Sequence, residues 1–534
     1  MKKIRFLIAQ INSTVGDIPG NSQKVLDGLD AGTRKKADLV LFPEMVLTGY
    51  PPEDLLLKKH FIAEGKRALS RIARSCRTVA ALVGCADSPS GTVFNAAAFC
   101  ARGRVRSIYH KMCLPNYGVF DEKRYFESGK APLLLDIKGW KIGITICEDV
   151  WIKSGPVPEL ARQGAHAIVV LNASPYRASK WKERQRLLTA WAKKFKIYML
   201  YVNCVGGQDE LVFDGQSMAI DPAGKLIMMA PAFKESHIVL DLPPSRPFPI
   251  VRPPAPDEEV YRALVLGTHD YAVKNSFGSA VIGLSGGIDS ALTAAIAADA
   301  LGSDKVIGVY MPSRFSSPDS RDDAQSVARS LGIEYREISI EPSLKELLKT
   351  LSPHFEGRPP DVTEENLQAR IRGIMLMALS NKFGWLVLTT GNKSEMSTGY
   401  ATLYGDMAGG FAVLKDVPKT LVYRLCRYRN GKNAALFSER LMTKEPTAEL
   451  RHNQKDSDSL PPYPVLDPIL KAYVEDDHSV EEIIRMHRAD PKTVRKVIAL
   501  VDRSEYKRRQ SPPGVKITPK SLGKDRRMPI TNQF

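Results

Sequence analysis

One short stretch, Ser285-Gly286-Gly287-Ile288-Asp289-Ser290, constrains this 534-residue chain more than any other. It follows the apolar run at 280–284 and precedes an Ala-rich helical pattern at 291–301, so we predict a strand, a glycine turn and a helix. Such a turn directs backbone N–H groups and a helix N-terminus at one point, which forms an anion site. The serine hydroxyls can donate to phosphate oxygens, and Asp289 can hold Mg²⁺ among them.

The same stretch also limits the chemistry. It lacks the Gly-Lys-Ser/Thr ending of a Walker A motif, so transfer of a γ-phosphate is not indicated. The ordinary alternative is a strand–helix turn with a serine cap. The hexapeptide resembles the pyrophosphate loop of the ATP-pyrophosphatase superfamily. That resemblance implies cleavage of ATP between its α- and β-phosphates and adenylation of an acceptor oxygen.

Length and composition bound the protein class. A chain of 534 residues is too long for one core, so we expect two to four domains. No apolar run approaches the ~20 residues of a membrane span, and the run at 4–10 is shorter than the core of a signal peptide. We therefore expect a cytoplasmic protein that does not enter a membrane. Seven cysteines without a CxxC pair and nine histidines without HxxxH spacing favour a hard cation over zinc.

The formal net charge is +17, and part of it lies in the C-terminal tail around Lys507. This balance suits small polyanionic substrates, and it also suits a nucleic acid. The chain shows neither a basic stripe interleaved with aromatic residues nor a nucleic-acid motif. We therefore expect small-molecule substrates and no nucleic acid, while an RNA-binding protein remains the alternative from another class.

Residues 1–240 alternate short β-rich runs with amphipathic helical patterns, which indicates a layered α/β domain. Three residues at or just beyond predicted strand ends could carry chemistry, namely Glu44, Lys111 and Cys147. A thiol at a strand–helix corner can act as a nucleophile when a carboxylate is its base and a lysine supplies fixed positive charge. Each residue alone also has an ordinary interpretation, as a core thiol or as solvated loop charges.

The surrounding segments 42–50, 110–117 and 146–151 resemble the three blocks of the nitrilase superfamily, in its order and spacing. That resemblance implies a four-layer αββα sandwich, a Glu44–Lys111–Cys147 triad and a second glutamate, Glu122, that orients the lysine. It also implies that glutamine would be the substrate and would contact Tyr117, Ser174 and Lys180.

A proline-rich segment separates the two halves. Residues 241–257 contain seven prolines, so we predict a stiff extended linker there. Residues 258–534 then alternate strands and helices at the spacing of a doubly wound parallel sheet. Ligands of such sheets bind beyond the carboxyl ends of the strands. Three segments qualify, namely 285–290, 312–317 and 389–395.

The segment at 389–395 would place Glu395 near Asp289, where the two carboxylates could share Mg²⁺; the alternative is a helix-capping turn. Together with residues 365–372, 399–406 and 415–419, this segment resembles the NAD synthetases. The resemblance implies deamido-NAD contacts at Asn366, Glu395 and Lys507. It also implies ATP contacts at Leu284, Ser285, Gly286, Gly287, Ile288, Asp289, Ser290, Ala291 and Thr390.

Both resemblances together cover the chain and match the glutamine-dependent, two-domain NAD synthetase family. They imply a ligase that hydrolyses glutamine and uses ATP and Mg²⁺ to adenylate deamido-NAD, which ammonia converts to NAD⁺ in the last step of NAD biosynthesis. They also imply a homo-oligomer and a mobile loop at 405–419. A ligase that amidates a nucleotide base or aspartate is the alternative among enzymes, but those ligases use other glutaminase modules. Residues 428–460 match less well, and we predict that they form an insertion or a surface segment.

Overall fold

The computed structural model describes residues 2–432 and 436–532. The chain divides into two compact units, Met1–Ala255 and Pro256–Phe534. Residues 433–435 of the predicted surface segment, and the last two residues of the predicted second domain, lie outside the described part.

The first unit contains fourteen strands and four α-helices in its described residues. The strands are β1 (Ile4–Gln10), β2 (Leu39–Leu41), β3 (Ala80–Asp87), β4 (Phe94–Ala101), β5 (Arg104–His110), β6 (Leu133–Ile137), β7 (Trp140–Ile146), β8 (Ala167–Asn172), β9 (Tyr198–Asn203), β10 (Val205–Gln208), β11 (Leu211–Asp214), β12 (Met218–Ile220), β13 (Leu226–Met229) and β14 (Ser236–Leu242). The helices are α1 (Ile18–Arg34), α2 (Lys59–Ser75), α3 (Pro156–Arg162) and α4 (Lys180–Phe195).

These elements form four layers. One six-stranded sheet has the order β14-β1-β2-β3-β4-β5 and the other β13-β12-β9-β8-β7-β6. Apolar side chains of both sheets, including Phe6 and Trp140, share a core between them. Side chains of α1 and α2 pack on the outer face of the first sheet, and those of α3 and α4 on that of the second. The predicted αββα sandwich is confirmed, because alternate strand residues face a helix layer and the other sheet.

The linker is shorter than the proline content suggested. Asp241 and Leu242 belong to β14, where they pair with Arg5 and Ile4 of β1. At the other end, Pro256 opens the first helix of the second unit. Proline is tolerated in the first turn of a helix because the N–H that it lacks would have no partner there. The sequence pattern also missed β6, β10, β11, β13 and β14.

The second unit begins with a helix and continues as an alternating α/β fold. Its strands are β15 (Ala280–Gly283), β16 (Val306–Tyr310), β17 (Glu334–Glu337), β18 (Leu386–Thr389) and β19 (Phe411–Ala412). Its helices are α5 (Pro256–Lys274), α6 (Ile288–Leu301), α7 (Pro318–Leu331), α8 (Glu341–Leu351), α9 (Val362–Phe383), α10 (Lys393–Thr398), α11 (Lys419–Asn430), α12 (Glu439–Thr443), α13 (Tyr463–Leu470), α14 (Val480–His487), α15 (Pro491–Arg503) and α16 (Glu505–Arg508).

All five strands of the second unit are parallel, in the order β17-β16-β15-β18-β19. The strand order reverses between β15 and β18, so the crevice for a ligand lies beyond their carboxyl ends. The predicted doubly wound sheet is confirmed, with β19 as an edge strand that the sequence pattern did not indicate. This strand lies within the predicted mobile loop at 405–419, of which residues 411–417 are buried.

Within the described residues, no helix combines the length and apolarity that crossing a membrane requires.

Candidate active sites

The first site is built on three buried charged residues of the first unit, of which two follow strands and Glu122 opens a short 3₁₀ turn. Lys111 follows β5, and its Nζ atom donates to Glu44 Oε1 and to Glu122 Oε1, each at 2.8 Å. Glu44 also accepts from Asn95 Nδ2 at 2.7 Å and from the Ala173 N–H at 2.8 Å. The structure therefore brings together Glu44, Lys111 and Glu122, although Glu44 lies 67 positions before Lys111 in the chain and Glu122 lies 11 positions after it.

Glu44 can take its position beside Lys111 because residue 84 is a glycine. The turn 43–45 crosses β3 at Gly84, where a Cβ atom would lie 2.2 Å from the Pro43 carbonyl oxygen. Any side chain at Gly84 would push the turn, and with it Glu44, away from the sheet. The position of the carboxylate therefore depends on a residue that the motifs did not include.

The electrostatics keep Lys111 charged. Burial opposes its charge, but the carboxylates of Glu122 and Glu44 outweigh burial and raise the pKa of Lys111 well above its usual value. Burial raises the pKa of Glu122 to about 7, against the opposing charge of Lys111. The Tyr50 hydroxyl donates to Glu122 Oε1 at 2.9 Å. A fixed ammonium is thus held between two carboxylates.

Cys147 lies directly after β7, at the start of a short 3₁₀ turn, and its side chain is buried. Its φ of +41° is in the left-handed region, which a residue with a side chain rarely adopts. Strain of this kind clusters at functional positions. Burial and then the charge of Glu44 raise the pKa of the Cys147 thiol, while Lys111 opposes the shift. The thiol is therefore protonated at rest and needs a base when it reacts.

Asp149 connects the lysine segment to the cysteine turn, and our sequence interpretation gave it no role. Its Oδ1 atom accepts from the Met112 and Cys113 N–H groups at 3.2 and 2.9 Å. Its Oδ2 atom accepts from the Ile146 N–H at 2.8 Å and from the Tyr109 hydroxyl at 2.7 Å. The carboxylate thus fixes the residues that follow Lys111 against the residue before Cys147. The sequence signal that could have identified Asp149 was its place in the nitrilase-like block at 146–151.

The predicted glutamine contacts are a phenol, a hydroxyl and an ammonium, on Tyr117, Ser174 and Lys180. Tyr117 donates its hydroxyl to Glu148 Oε1 and Oε2 at 3.1 and 2.9 Å, so it lies beside the residue after Cys147. The Ser174 N–H donates to Asn203 Oδ1 at 3.0 Å. The Lys180 ammonium lies 5.8 Å from the Trp151 ring centroid. Burial, and then the charge of Arg184, lower the pKa of Lys180 to about 8.

The second site is the loop between β15 and α6. Gly286 has φ of +75°, and a Cβ atom there would lie 2.2 Å from the Ser320 carbonyl oxygen. The Ser285 and Ser290 hydroxyls are 3.1 Å apart, and Ser290 Oγ donates to the Gly287 carbonyl at 2.9 Å. Among the residues that the structure describes, no side chain caps the N-terminus of α6 at Gly287. The first N–H groups of this fourteen-residue helix therefore face the crevice as donors for an anion.

A cavity opens beyond the strand ends at this loop. The predicted ATP contacts that line it are Leu284, Ser285, Gly287, Ile288, Asp289, Ser290 and Thr390, whereas Gly286 and Ala291 do not. Ser316 of the segment 312–317 lines the same cavity. All three segments that were predicted at the carboxyl ends of the strands therefore reach one cavity.

Asp289 and Glu395 lie close together at this cavity, with Lys419 between them. Lys419 Nζ donates to Asp289 Oδ2 and is 3.7 Å from Glu395 Oε1. Asn392 Nδ2 donates to Asp289 Oδ1 at 3.1 Å. Burial, and then the charge of Asp289, raise the pKa of Glu395 to about 8. The capping turn also forms, since Asn392 accepts from the Glu395 N–H, so the two interpretations of Glu395 are compatible.

The donor set fits a hard divalent cation. Two carboxylates share one cationic nitrogen, and Mg²⁺ typically takes one or two carboxylates together with phosphate and water oxygens. Within residues 2–432 and 436–532, no group of three or more His, Cys, Asp or Glu side chains is arranged for a metal. A cation at this point would therefore need oxygens from a bound phosphate.

The polar segment at 428–460, which we predicted to be an insertion or a surface segment, also contributes to the cavity. Residues 444–450 line the cavity, as do Leu441 and Asp456. Lys444 Nζ donates to Ser320 Oγ at 2.6 Å, and Glu449 Oε1 accepts from the Ser317 and Ser320 hydroxyls at 2.8 and 2.6 Å. Polar side chains are typical of an exposed segment, but a phosphate cavity needs them as well.

The last two predicted contacts lie beside the cavity rather than in its lining. Asn366 Oδ1 accepts from the Thr402 hydroxyl at 2.8 Å, and Thr402 lines the cavity. Lys507 Nζ donates to the Gly399 and Ala401 carbonyls, both at 2.8 Å. Other tail cations also bond inward, since Arg508 and Arg526 both form ion pairs with Glu505. Much of the positive tail is thus used within the second unit.

Comparison with protein families gives one match for each unit. The carbon–nitrogen hydrolase model matches residues 8–246. The NAD synthase model matches residues 260–511.

Similar proteins match over the full length. The chain is 47% identical to a glutamine-dependent NAD(+) synthetase of Thermotoga maritima, covering 100% of this chain and 99% of the relative. It is 45% identical to the glutamine-dependent NAD(+) synthetase of Acinetobacter baylyi, and the alignment again covers 100% of this chain and 99% of the relative. Among solved structures, the glutamine-dependent NAD+ synthetase of Acinetobacter baumannii, in complex with ADP, aligns with a TM-score of 0.81 and 41% identity over 99% of both chains.

Proposed function

Because this chain belongs to the glutamine-dependent NAD(+) synthetase family, we propose that it makes NAD⁺ from deamido-NAD, ATP and glutamine, as a carbon–nitrogen ligase with glutamine as nitrogen donor. The observation that carries the proposal is the pairing, in one chain, of a buried Glu–Lys–Cys constellation with a serine–glycine phosphate loop. The first can release ammonia from an amide, and the second can activate a carboxylate with ATP.

In the first unit, Cys147 attacks the carboxamide carbon of glutamine while Glu44 takes the thiol proton. The charge of Lys111 stabilises the oxyanion that forms, because the ammonium is fixed and shielded from water. Glu122 holds Lys111 in place from the other side. The collapse of the intermediate releases ammonia and leaves a thioester, which water then hydrolyses to glutamate. Tyr117, Ser174 and Lys180 would hold the amino-acid end of glutamine.

In the second unit, the loop at 285–290 and the N-terminus of α6 bind the ATP phosphates. The carboxylate of deamido-NAD attacks the α-phosphorus, pyrophosphate leaves, and ammonia then displaces AMP to give NAD⁺. Asp289 and Glu395 would hold Mg²⁺, which when bound neutralises the charge of the leaving pyrophosphate. Lys419 adds a fixed positive charge at the same point. Asn366 and Lys507 would orient deamido-NAD.

One assay tests the whole proposal. The full-length protein is given ATP, Mg²⁺ and deamido-NAD, with either glutamine or ammonium as nitrogen source, and NAD⁺ is measured. We expect NAD⁺, AMP and pyrophosphate in equal amounts with both sources, together with glutamate when glutamine is used. No NAD⁺ from either source would refute the proposal.

We further propose that the protein works as a cytoplasmic homo-oligomer. The seven cysteines are free thiols, which suits a reducing compartment. Helix α9 exposes the apolar side chains of Ile374 and Phe383 at 65% and 52%, with Met377 on the same helix, and a second copy could cover them. Light scattering tests the assembly, since Ile374→Glu should shift it towards monomers. An unchanged mass for that variant would argue against this face.

A further inference from the structure

Arg184 of α4 is a buried cation of the first unit that the proposed reaction does not use. Its Nη1 atom donates to both carboxylate oxygens of Asp214, at 2.7 and 2.9 Å, and Asp214 is buried as well. Desolvation offsets much of the attraction within such a pair, so a buried ion pair by itself is weak evidence of stabilisation. The geometry around the pair indicates what else it does.

The rest of the guanidinium fixes Ser174. Arg184 Nε donates to Ser174 Oγ at 3.3 Å, and Nη2 donates to the Ser174 carbonyl oxygen at 2.9 Å. The Ser174 N–H is held by Asn203, whose own amide nitrogen is 3.4 Å from Asp214 Oδ1. Because Ser174 Oγ accepts from Arg184, its hydroxyl hydrogen points away from the guanidinium and can be donated to another oxygen.

Two neighbouring groups indicate which ligand would accept the hydrogen of the Ser174 hydroxyl. The N–H of Ala173 donates to Glu44 Oε2 at 2.8 Å, so the segment that carries Ser174 also reaches the proposed base. Lys180 opens the same helix as Arg184, and within the described part of the chain its ammonium has a ring contact but no ion pair. Such an ammonium, on the helix whose Arg184 bonds Ser174, suits a carboxylate.

We propose that Arg184, held by Asp214, is a positioning residue that presents the Ser174 hydroxyl as a donor to the α-carboxylate of glutamine. The pair thereby makes the first site selective for amides that carry a carboxylate. This inference rests on the glutaminase function proposed above. Arg184 itself touches neither the reacting amide nor Cys147, so its effect falls on substrate affinity and substrate choice.

The test compares two amides. Glutaminamide has the reacting side chain of glutamine but a neutral amide in place of its α-carboxylate. Ammonia release is measured with glutamine and with glutaminamide as substrates. The double variant Arg184→Gln/Asp214→Asn removes both charges together, so no lone charge stays buried. We expect kcat/KM for glutamine to fall at least about tenfold, mainly through KM, and that for glutaminamide to change less than about threefold.

Controls separate positioning from damage to the fold. Arg186→Gln changes an exposed arginine of the same helix and should leave both amides unaffected. Equal losses for the two amides, or no loss for glutamine, would overturn the inference. If thermal unfolding shows that the double variant does not fold, Arg184→Lys is tested instead, again by comparing kcat/KM for glutamine and for glutaminamide. A wild-type protein that makes NAD⁺ from ammonium but releases no ammonia from glutamine would refute the glutaminase proposal itself, and this inference with it.

Discussion

Lys419 donates a hydrogen bond to the carboxylate of Asp289, 130 positions earlier in the chain. The pair lies where the strand order reverses in the parallel sheet of the second unit, beside Glu395. Burial opposes the charge on Lys419, but the carboxylates of Asp289 and Glu395 outweigh burial and raise its pKa. The positive charge that a bound phosphate requires is therefore already present at the anion loop.

The first prediction concerns Asp289. Asp289→Ala should lower NAD⁺ formation at least about a hundredfold with glutamine and with ammonium alike, because the variant loses the metal-binding carboxylate and the partner of Lys419. Steady-state rates with each nitrogen source test this. Asp322→Ala, which changes an exposed carboxylate of α7, is the matched control and should keep full activity. A normal rate with ammonium in Asp289→Ala would contradict the assigned role.

The second prediction separates the two sites. Cys147→Ala should abolish NAD⁺ formation from glutamine, because the nucleophile is gone, and should keep the rate with ammonium within about twofold. Glutamate release should disappear in the same variant. The small side chain fits a buried position, so the fold should persist. Equal loss with both nitrogen sources, in protein that unfolds at the normal temperature, would show that the two sites are not separable.

Regular patterns predicted much of the fold. The alternation of strands and helices placed the phosphate loop and the Cys147 turn, because both follow buried apolar runs that end at a sheet edge. Short strands escaped the same reasoning. Strand β11 spans four residues and is buried throughout, so its burial pattern shows no alternation that a periodicity could reveal.

Residues that act through distant partners could not be predicted in the same way. The charge of Lys419 is visible in the sequence, but its pairing with Asp289 depends on the meeting of β15 and β18. The same holds for Arg184 and Asp214, which are 30 positions apart and meet between α4 and β11. A buried charge looks like a surface charge until the fold supplies its partner.

The third prediction is a pH dependence that comes from Lys180. Burial and the charge of Arg184 lower its pKa to about 8, so the free enzyme carries the ammonium below that pH and loses it above. A glutamine carboxylate binds the charged form, so kcat/KM for glutamine should fall about tenfold per pH unit above about pH 8. In Lys180→Arg the cation stays protonated, and this fall should vanish from the accessible range. The same fall in both proteins would assign it to another group.

The fourth prediction concerns Lys444, which lies in the segment that composition placed at the surface. Its ammonium lies 2.6 Å from Ser320 Oγ and 3.3 Å from Glu449 Oε1, at a cavity that the phosphate loop also lines. Lys444→Ala should raise KM for ATP about tenfold, which corresponds to ~1.4 kcal/mol, because a charge-assisted contact to a phosphate is lost.

Ammonium is the nitrogen source in this measurement, so that the first site does not contribute. Lys471→Ala is the control, since that lysine is 61% exposed and pairs with Asp476 on the surface. Its KM for ATP should match that of the wild type. If Lys444→Ala also leaves the KM unchanged, residues 444–450 cover the cavity without contacting the nucleotide. A raised KM would instead support direct contact between the segment and ATP.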